Sequence, residues 1–197
     1  MRTLVTDRLM LRPFVQDDLL RTHQLLYADP EVAPAWTGRT KTIAEIETSF
    51  ARKVTQPENG FGFLAIVSKV EQALIGTIAL QRYELDDDTS YIVMECAPTY
   101  RVGGDPAVIE VELTYALGRA YWGNGFTTEA GRRVIDYGFN ELGVRRIIND
   151  VSSTNTHSIN VMRRLGFRLQ RNLHPRPFLN SDAPGVIGLL ERNEAQL

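Results

Sequence analysis

The sequence has little cysteine and little histidine, and each scarcity excludes a class of site. The lone cysteine, Cys96, excludes an internal disulfide and any metal site built from several cysteines. The three histidines, His23, His157 and His174, show no spacing that would let them share a metal ion. We therefore expect no structural or catalytic metal.

The chain also lacks a strong charge of one sign and a long apolar run. Its 22 basic and 24 acidic residues give a formal net charge of −2, which does not indicate nucleic-acid binding. The opening "MRTLVTDRLMLRPF" lacks the continuous apolar segment of a signal peptide, and no apolar run reaches membrane-spanning length. We expect a cytoplasmic protein with neither nucleic acid nor membrane as a partner.

The order of predicted elements indicates one mixed domain. The 197 residues contain no repeat, low-complexity segment or break in composition, so we expect a single domain over residues 1–197. Hydrophobic periodicity predicts a strand, two helices and a run of about four strands, followed by a helix, a strand, a second helix and closing strands. This order predicts an α/β (α+β) fold with a mostly antiparallel mixed sheet rather than alternating βαβ units.

The stretch "AYWGNGFTTEA", residues 120–130, has the chemistry of a phosphate cradle. Gly123 and Gly125 allow backbone conformations that other residues avoid, and they let an anion approach the main chain. Thr127 and Thr128 add hydroxyl donors, and the helix that follows offers unpaired N–H groups and a partial positive charge. We expect this stretch to bind a phosphate or a diphosphate.

Two common phosphate-binding classes do not fit this stretch. A dinucleotide fingerprint would need a third glycine where Thr128 stands, within a parallel βαβ unit that the element order does not predict. A Walker-type loop would need a Lys-Ser or Lys-Thr pair after its second glycine, and none is present.

Four motifs follow one another in this part of the chain: an acidic-to-tyrosine strand (Glu112–Tyr115), "YWGNGFTTEA" (Tyr121–Ala130), "NTHS" (Asn155–Ser158) and "LGF" (Leu165–Phe167). Together they strongly resemble the GNAT superfamily of acetyl-CoA-dependent N-acetyltransferases. Their order, and the opening "TDRLMLRPFVQDD", are similar to the branch that contains the ribosomal-protein-alanine N-acetyltransferases of the RimJ/RimL type.

The resemblance implies a GNAT fold with a splayed, mostly antiparallel mixed sheet of about seven strands and helices on both faces. Acetyl-CoA would lie between the strands at Val108–Leu117 and Arg146–Val151, its pantetheine arm near Leu117 and Arg119 and its diphosphate on the amides from Trp122 to Thr127. The implied cofactor-binding residues are Leu117, Arg119, Trp122, Gly123, Asn124, Gly125, Phe126, Thr127, Asn155 and Ser158.

Two residues of the glycine stretch depart from the family pattern. Ala120 stands where the family has Gln or Arg, and Asn124 stands where a basic residue is frequent. Both departures remove charge but leave the backbone donors in place, so we expect binding to survive. Glu129, in the first turn of the helix, must point away from the phosphates, and we expect Trp122 to anchor the core.

The residues around Asn155 supply a candidate acid for the departing thiolate. Many GNAT enzymes carry a tyrosine for this purpose at the position of Met162, which cannot donate a proton. The RimJ/RimL-type branch carries a serine at the position of Ser158, so the resemblance implies that Ser158 protonates the CoA sulfur and that Asn155 positions it. The alternative is that Asn155 only caps a helix and Ser158 lies in its first turn.

Glu112 is the candidate general base or water-orienting carboxylate. Strand alternation places it on one face with Glu110 and Thr114, and it places Val111, Leu113 and Tyr115 on the other. A carboxylate in an apolar strand needs a reason, because burying it without a partner is costly. That reason is either catalysis or an ion pair on a solvated face.

The resulting hypothesis is an enzyme that transfers acetyl from acetyl-CoA to a primary amine by direct attack. The amine belongs to a protein N-terminus or to a small molecule, and Trp36 and Phe178 are candidate walls of its pocket. The alternative is a CoA-binding sensor or structural module without catalysis. The sequence leaves open a longer acyl donor and a homodimer, which is common among relatives.

Overall fold

The computed structural model describes residues 2–55, 60–82, 91–94, 97–101, 110–172 and 185–192. The helices are α1 (Asp18–Thr22), α2 (Ala33–Thr37), α3 (Ile43–Val54), α4 (Phe126–Asn140) and α5 (Thr156–Arg164), with a π-helical turn at His23–Tyr27 and a 3₁₀ turn at Arg119–Tyr121. The strands are β1 (Leu4–Val5), β2 (Leu9–Pro13), β3 (Gly62–Ser68), β4 (Ala73–Arg82), β5 (Tyr91–Met94), β6 (Ala97–Arg101), β7 (Glu110–Leu117), β8 (Arg146–Ser152), β9 (Arg168–Asn172) and β10 (Gly185–Glu191). Cys96 and Phe178 lie outside the described residues.

Eight of these strands form one mixed sheet in the order β1-β2-β3-β4-β7-β8-β10-β9, and β5 and β6 pair with each other. The α/β fold predicted from the sequence is confirmed, and its main sheet has eight strands where about seven were predicted. The strands β1 and β6 were not predicted, and β5 pairs with β6 rather than with the main sheet.

The parallel ladder between β7 and β8 is short. It joins Glu110–Glu112 to Arg146–Ile148, whereas β8 pairs with β10 along its whole length to Ser152. Among the described residues, no further β7–β8 pair follows, although both strands continue. A ladder that stops partway along two strands is what the splayed sheet expected from the GNAT resemblance requires.

The chain divides into two compact units, and the first contains Met1–Gln81 and Thr114–Val134. Helix α3 begins with a capping box, in which Thr42 accepts from the Glu45 N–H and the Glu45 side chain accepts from the Thr42 N–H. Its apolar face packs into a core with β3 and β4, formed by Phe14, Phe50, Ala65, Val67 and Leu74. A second cluster, Leu26, Tyr27, Val32 and Ile46, packs against Trp36 and Ala116.

The second unit contains Arg82–Leu113 and Ile135–Leu197. Its strands β8, β9 and β10 are antiparallel neighbours. Helix α5 ends at Arg164, and Gly166, which follows the C-cap Leu165, has a φ of 86°, the left-handed conformation that closes many helices. A Cβ at Gly188 would lie 2.8 Å from the Met162 Sδ and 2.9 Å from the Phe167 ring. Glycine is therefore required in β10 because α5 packs directly on its backbone.

Candidate functional site

The loop between β7 and α4 turns on two glycines. Gly123 has φ 78° and Gly125 has φ 77°, a conformation that residues with a side chain rarely adopt. Among the described atoms, none lies within 4 Å of a Cβ built at Gly123, and the Arg8 Nη2, at 3.6 Å, is the nearest to one built at Gly125. Both glycines are exposed. The glycines therefore satisfy the backbone conformation and leave open space beside the main chain.

The amides at the start of α4 supply the donors of this loop. The Glu129 N–H donates to the Gly125 carbonyl at 3.0 Å, so the amides of Phe126, Thr127 and Thr128 precede the first helical bond of α4. Such amides have no acceptor within the helix and lie at the positive end of its dipole. The Trp122 N–H is committed to the Arg119 carbonyl at 3.1 Å, so the set of candidate donors narrows to residues 123–127.

The N-terminal turn between β1 and β2 contacts the same loop. The Arg8 Nε lies 2.6 Å from the Glu129 Oε2, and the Arg8 N–H donates to the Glu129 Oε1 at 3.0 Å. The Thr6 hydroxyl donates to the same Oε1 at 2.5 Å. Burial disfavours the charged form of Glu129, but the bonds from Thr6 and Arg8 outweigh it and hold the pKa of this carboxyl below its ordinary 4.5. Glu129 is thus engaged by the β1–β2 turn.

Tyr121 and Trp122, the two aromatic residues before the glycines, both form side-chain hydrogen bonds within the first unit. The Trp122 Nε1 donates to the Leu117 carbonyl at 2.8 Å, and the indole is 36% exposed, so the expectation that Trp122 anchors the core is wrong. The Tyr121 hydroxyl donates to the Glu71 carboxylate at 2.8 Å and accepts from Arg21 at 3.2 Å. These contacts fasten the end of β7 and the 3₁₀ turn that follows it. Arg119, the first residue of that turn, forms a salt bridge with Asp29, in which 3.5 Å separate the Arg119 Nε and the Asp29 Oδ2.

Glu112 lies at the last pair of the β7–β8 ladder, opposite Ile148. Its neighbours Val111 and Leu113 are fully buried, whereas Glu112 and Thr114 are partly exposed. This confirms the predicted alternation of faces along β7. Its proposed role as a base stays a prediction.

Asn149 of β8, which the sequence reasoning did not single out, contacts β7 where the β7–β8 ladder ends. Its Nδ2 donates to the Leu113 carbonyl at 2.5 Å, one residue beyond the last β7–β8 pair. The side chain is 4% exposed, and within the described residues its Oδ1 has no hydrogen-bond partner. The Asn149 side-chain amide thus connects β8 to β7 just beyond the point where the backbone pairing of the two strands ends. A polar residue directly after two buried isoleucines, Ile147 and Ile148, is the signal that could have identified it.

Asn155 and Ser158 form the start of α5. The Asn155 Oδ1 accepts from the Ser158 N–H at 3.1 Å, which is an N-cap bond. Ser158 is 8% exposed, and its position three residues after the cap is fixed by this bond. Met162, one turn later, is fully buried against Gly188. The structure therefore shows the cap and the link between Asn155 and Ser158, and the catalytic role stays a prediction.

Trp36, the described member of the predicted acceptor wall, belongs to an aromatic cluster around a lysine. The Lys53 Nζ lies 4.3 Å from the Phe63 ring centre, 5.5 Å from that of Tyr27 and 5.6 Å from that of Trp36. The Lys53 Nζ also donates to the Tyr27 hydroxyl at 3.0 Å. The aromatic rings stabilise the buried ammonium by cation–π attraction. Sequence reasoning missed Lys53, because its aromatic partners come from distant segments of the chain.

Within the described ranges, no group of three or more His, Cys, Asp or Glu side chains is arranged to hold a metal ion. None of the described helices has the length and apolar content needed to cross a membrane.

Comparison with known proteins agrees with this geometry. Residues 8–168 match the acetyltransferase (GNAT) domain family. The "uncharacterized N-acetyltransferase p20" of Bacillus licheniformis is 29% identical over 174 residues, which cover 85% of this chain and 83% of that protein.

Two solved structures share the fold at low sequence identity. The ribosomal-protein-S5-alanine acetyltransferase of Vibrio fischeri superposes with a TM-score of 0.71 at 15% identity, covering 100% of both chains. AAC(6')-Ib, solved in complex with paromomycin and acetyl-CoA, superposes with a TM-score of 0.70 at 19% identity, covering 95% of this chain and 96% of that one. With the family match over most of its length, the chain belongs to the GNAT family of acetyltransferases.

Proposed function

We propose that this acetyltransferase takes acetyl from acetyl-CoA and that the amides of residues 123–127 hold the CoA diphosphate. The observation that supports this most is the pair of left-handed glycines with open space beside them, directly before a 15-residue helix. Backbone donors at a helix start favour an anion, and the absent side chains leave room for a bulky one. The residues present therefore fit the group that the family uses.

The thioester of acetyl-CoA supplies an activated acetyl group. Its pantetheine arm is proposed to bind along β7. The Leu117 carbonyl already accepts from Trp122, so the proposal assigns the Leu117 N–H and the backbone near Arg119 to that arm.

Three residues of the second unit carry the proposed proton transfers. An α-amine titrates near ~8, so much of the acceptor arrives charged and must lose a proton before attack. Glu112 is proposed to accept that proton directly or through water. Ser158 is proposed to donate a proton to the departing sulfur, with Asn155 holding the start of α5 in place.

The proposed acceptor is a protein N-terminal α-amine, as in the RimJ/RimL-type branch. The motif order of the sequence supports this branch, and the Vibrio fischeri structure carries the matching name. A small-molecule amine is the second candidate, because AAC(6')-Ib was solved with paromomycin. We also propose that the chain works as one catalytic domain in the cytoplasm, as a homodimer.

The test is release of CoA thiol in the presence of amine acceptors. A peptide with a free N-terminal alanine, the same peptide with a blocked N-terminus, and an aminoglycoside are each incubated with the enzyme and acetyl-CoA. We expect thiol release with the free peptide and only background release with the blocked one. Release with the aminoglycoside alone would move the assignment to small amines. Binding of acetyl-CoA with no release on any amine would contradict catalysis and favour the CoA-binding module.

A further inference from the structure

The Asn124–Gly125 peptide is held on one side by Arg8. The Arg8 Nη1 donates to the Asn124 carbonyl at 3.1 Å, and the Arg8 guanidinium lies 4.5 Å above the centre of the Phe126 ring. Arg8 reaches this loop from the turn before β2, more than a hundred residues earlier in the chain. Its side chain is therefore placed by the fold of the first unit.

Glu129 fixes the guanidinium in that position. Its carboxylate accepts from the Nε and the backbone N–H of Arg8, and the Thr6 hydroxyl holds the same carboxylate. The Glu129 carboxylate and the Asn124 carbonyl thus accept hydrogen bonds from two nitrogens of the guanidinium, Nε and Nη1. Such bidentate use of a planar fork fixes its orientation better than a single contact does.

The geometry of the peptide unit decides what this contact does. The described chain has no cis peptide bond, and in a planar trans peptide the C=O and the N–H point in opposite directions. Because Arg8 binds the Asn124 carbonyl, the Gly125 N–H points away from Arg8. The preceding glycine repeats the arrangement, since the Asn124 Nδ2 donates to the Trp122 carbonyl at 3.0 Å and directs the Gly123 N–H to the opposite side.

We propose that Arg8 is a positioning residue of the phosphate cradle, which acts through the Asn124–Gly125 peptide rather than by contacting the anion. The guanidinium orients the peptide and polarises its carbonyl, and a polarised peptide has a stronger N–H donor. The inference rests on the proposed function, because the anion in question is the CoA diphosphate.

The first test compares a ligand that has the diphosphate with one that lacks it. Arg8→Met keeps the apolar stem over Phe126 but removes the guanidinium. We expect its Kd for CoA, measured by calorimetry, to rise about tenfold, as for loss of one charge-assisted hydrogen bond. The Kd for pantetheine is expected to stay at the wild-type value. Arg52→Gln, at an exposed position of α3, changes the net charge equally and serves as the control.

The second test distinguishes positioning from direct contact by introducing Glu129→Gln both into the wild type and into Arg8→Met. Glu129→Gln removes the anion that fixes Arg8, and it also removes a negative charge near the proposed diphosphate, but the second effect acts equally with and without the guanidinium. If Arg8 positions the peptide, Glu129→Gln is less favourable to CoA binding in the wild type than in Arg8→Met. If Arg8 contacts the phosphate itself, its release from Glu129 makes the substitution more favourable to CoA binding in the wild type than in Arg8→Met, and that result, or an equal effect in both, would overturn the inference.

Failure of the inference is separable from failure of the proposed function. Equal losses of CoA and pantetheine affinity in Arg8→Met would show that Arg8 contributes only to the fold. No loss of affinity for either ligand would show that Arg8 does not affect binding at this loop. Wild-type protein that does not bind CoA at all would instead overturn the proposed function.

Discussion

The two helices that follow β7 and β8 begin in opposite ways. Helix α5 starts on Asn155, whose side chain accepts from the Ser158 N–H, so this helix satisfies an early amide with its own cap. Helix α4 starts after Gly125, which has no side chain to cap with, and its loop carbonyls are held by Asn124 and Arg8 instead. This difference favours α4 over α5 as the proposed anion site, because donors bind its loop carbonyls and leave its first amides for a ligand.

Placing a side chain in the α4 loop is expected to have the largest effect. Gly125→Val should raise the Kd for CoA about a hundredfold, because a β-branched residue cannot adopt this positive φ. A hundredfold is about the size expected when two hydrogen bonds from backbone N–H groups to the charged diphosphate are lost. Isothermal titration calorimetry measures it. Gly143→Val is the matched control, since Gly143 also has positive φ, at 69°, with open space beside it. Equal CoA affinity in both variants would place the diphosphate elsewhere.

At the start of α5 the sharpest change is expected in turnover rather than in binding. Ser158→Ala should lower kcat about a hundredfold, the lower range for loss of a general acid, and change the Kd for acetyl-CoA far less. Steady-state kinetics with the accepted amine measure both. Ser153→Ala, in the loop before the cap, is the control. A Ser158→Ala enzyme with unchanged kcat would leave α5 with a structural start only.

Removing the cap of α5 should lower stability. Asn155→Ala is expected to reduce the free energy of unfolding by about 1 kcal/mol, because the Ser158 N–H loses its acceptor. Urea denaturation followed by circular dichroism measures the change. Asn155→Asp keeps an acceptor and should keep most of the stability. If Asn155→Ala is as stable as the wild type, the contrast between the two helix starts is wrong.

The smallest effect concerns acid pH and Glu129 in the first turn of α4. Because its folded-state pKa is lowered, the stability it contributes is present above about 4.5 and is lost as the pH falls through the lower folded value. The difference in unfolding free energy between wild type and Glu129→Gln should therefore shrink below pH 4.5. The pKa of Glu45 is lowered to about 2, mainly by the Arg39 hydrogen bond. The corresponding difference in unfolding free energy between the wild type and Glu45→Gln should therefore persist until the pH approaches that value. A Glu129 difference that grows on acidification would contradict the assigned contacts.

Local patterns predicted much of the fold. Periodicity located α3, α4, α5 and their flanking strands, because each buries one regular face. The short α2 was predicted as irregular chain, although Pro34 near its start and Gly38 after its end are recognised helix signals. The π-helical turn at His23–Tyr27 was not predicted, since its spacing of apolar residues is the same as in an α-helix.

The site was predictable only where its residues are neighbours in sequence. Gly123 and Gly125 carry their signal in one short stretch, and so do Asn155 and Ser158. Arg8 and Asn149 do not, because their partners Glu129, Asn124 and Leu113 are brought to them by sheet pairing and tertiary packing. The missing charge at Ala120 and Asn124 could be read from the sequence, but the contact of Arg8, in the turn before β2, with this loop could not.

A crystal structure with CoA bound tests the central claim most directly. The account predicts diphosphate oxygens within hydrogen-bond distance of the Gly123 and Gly125 amides, on the side of the loop opposite the Arg8 guanidinium. A diphosphate bound anywhere else, or lying against Arg8 with those two amides turned away, would contradict it.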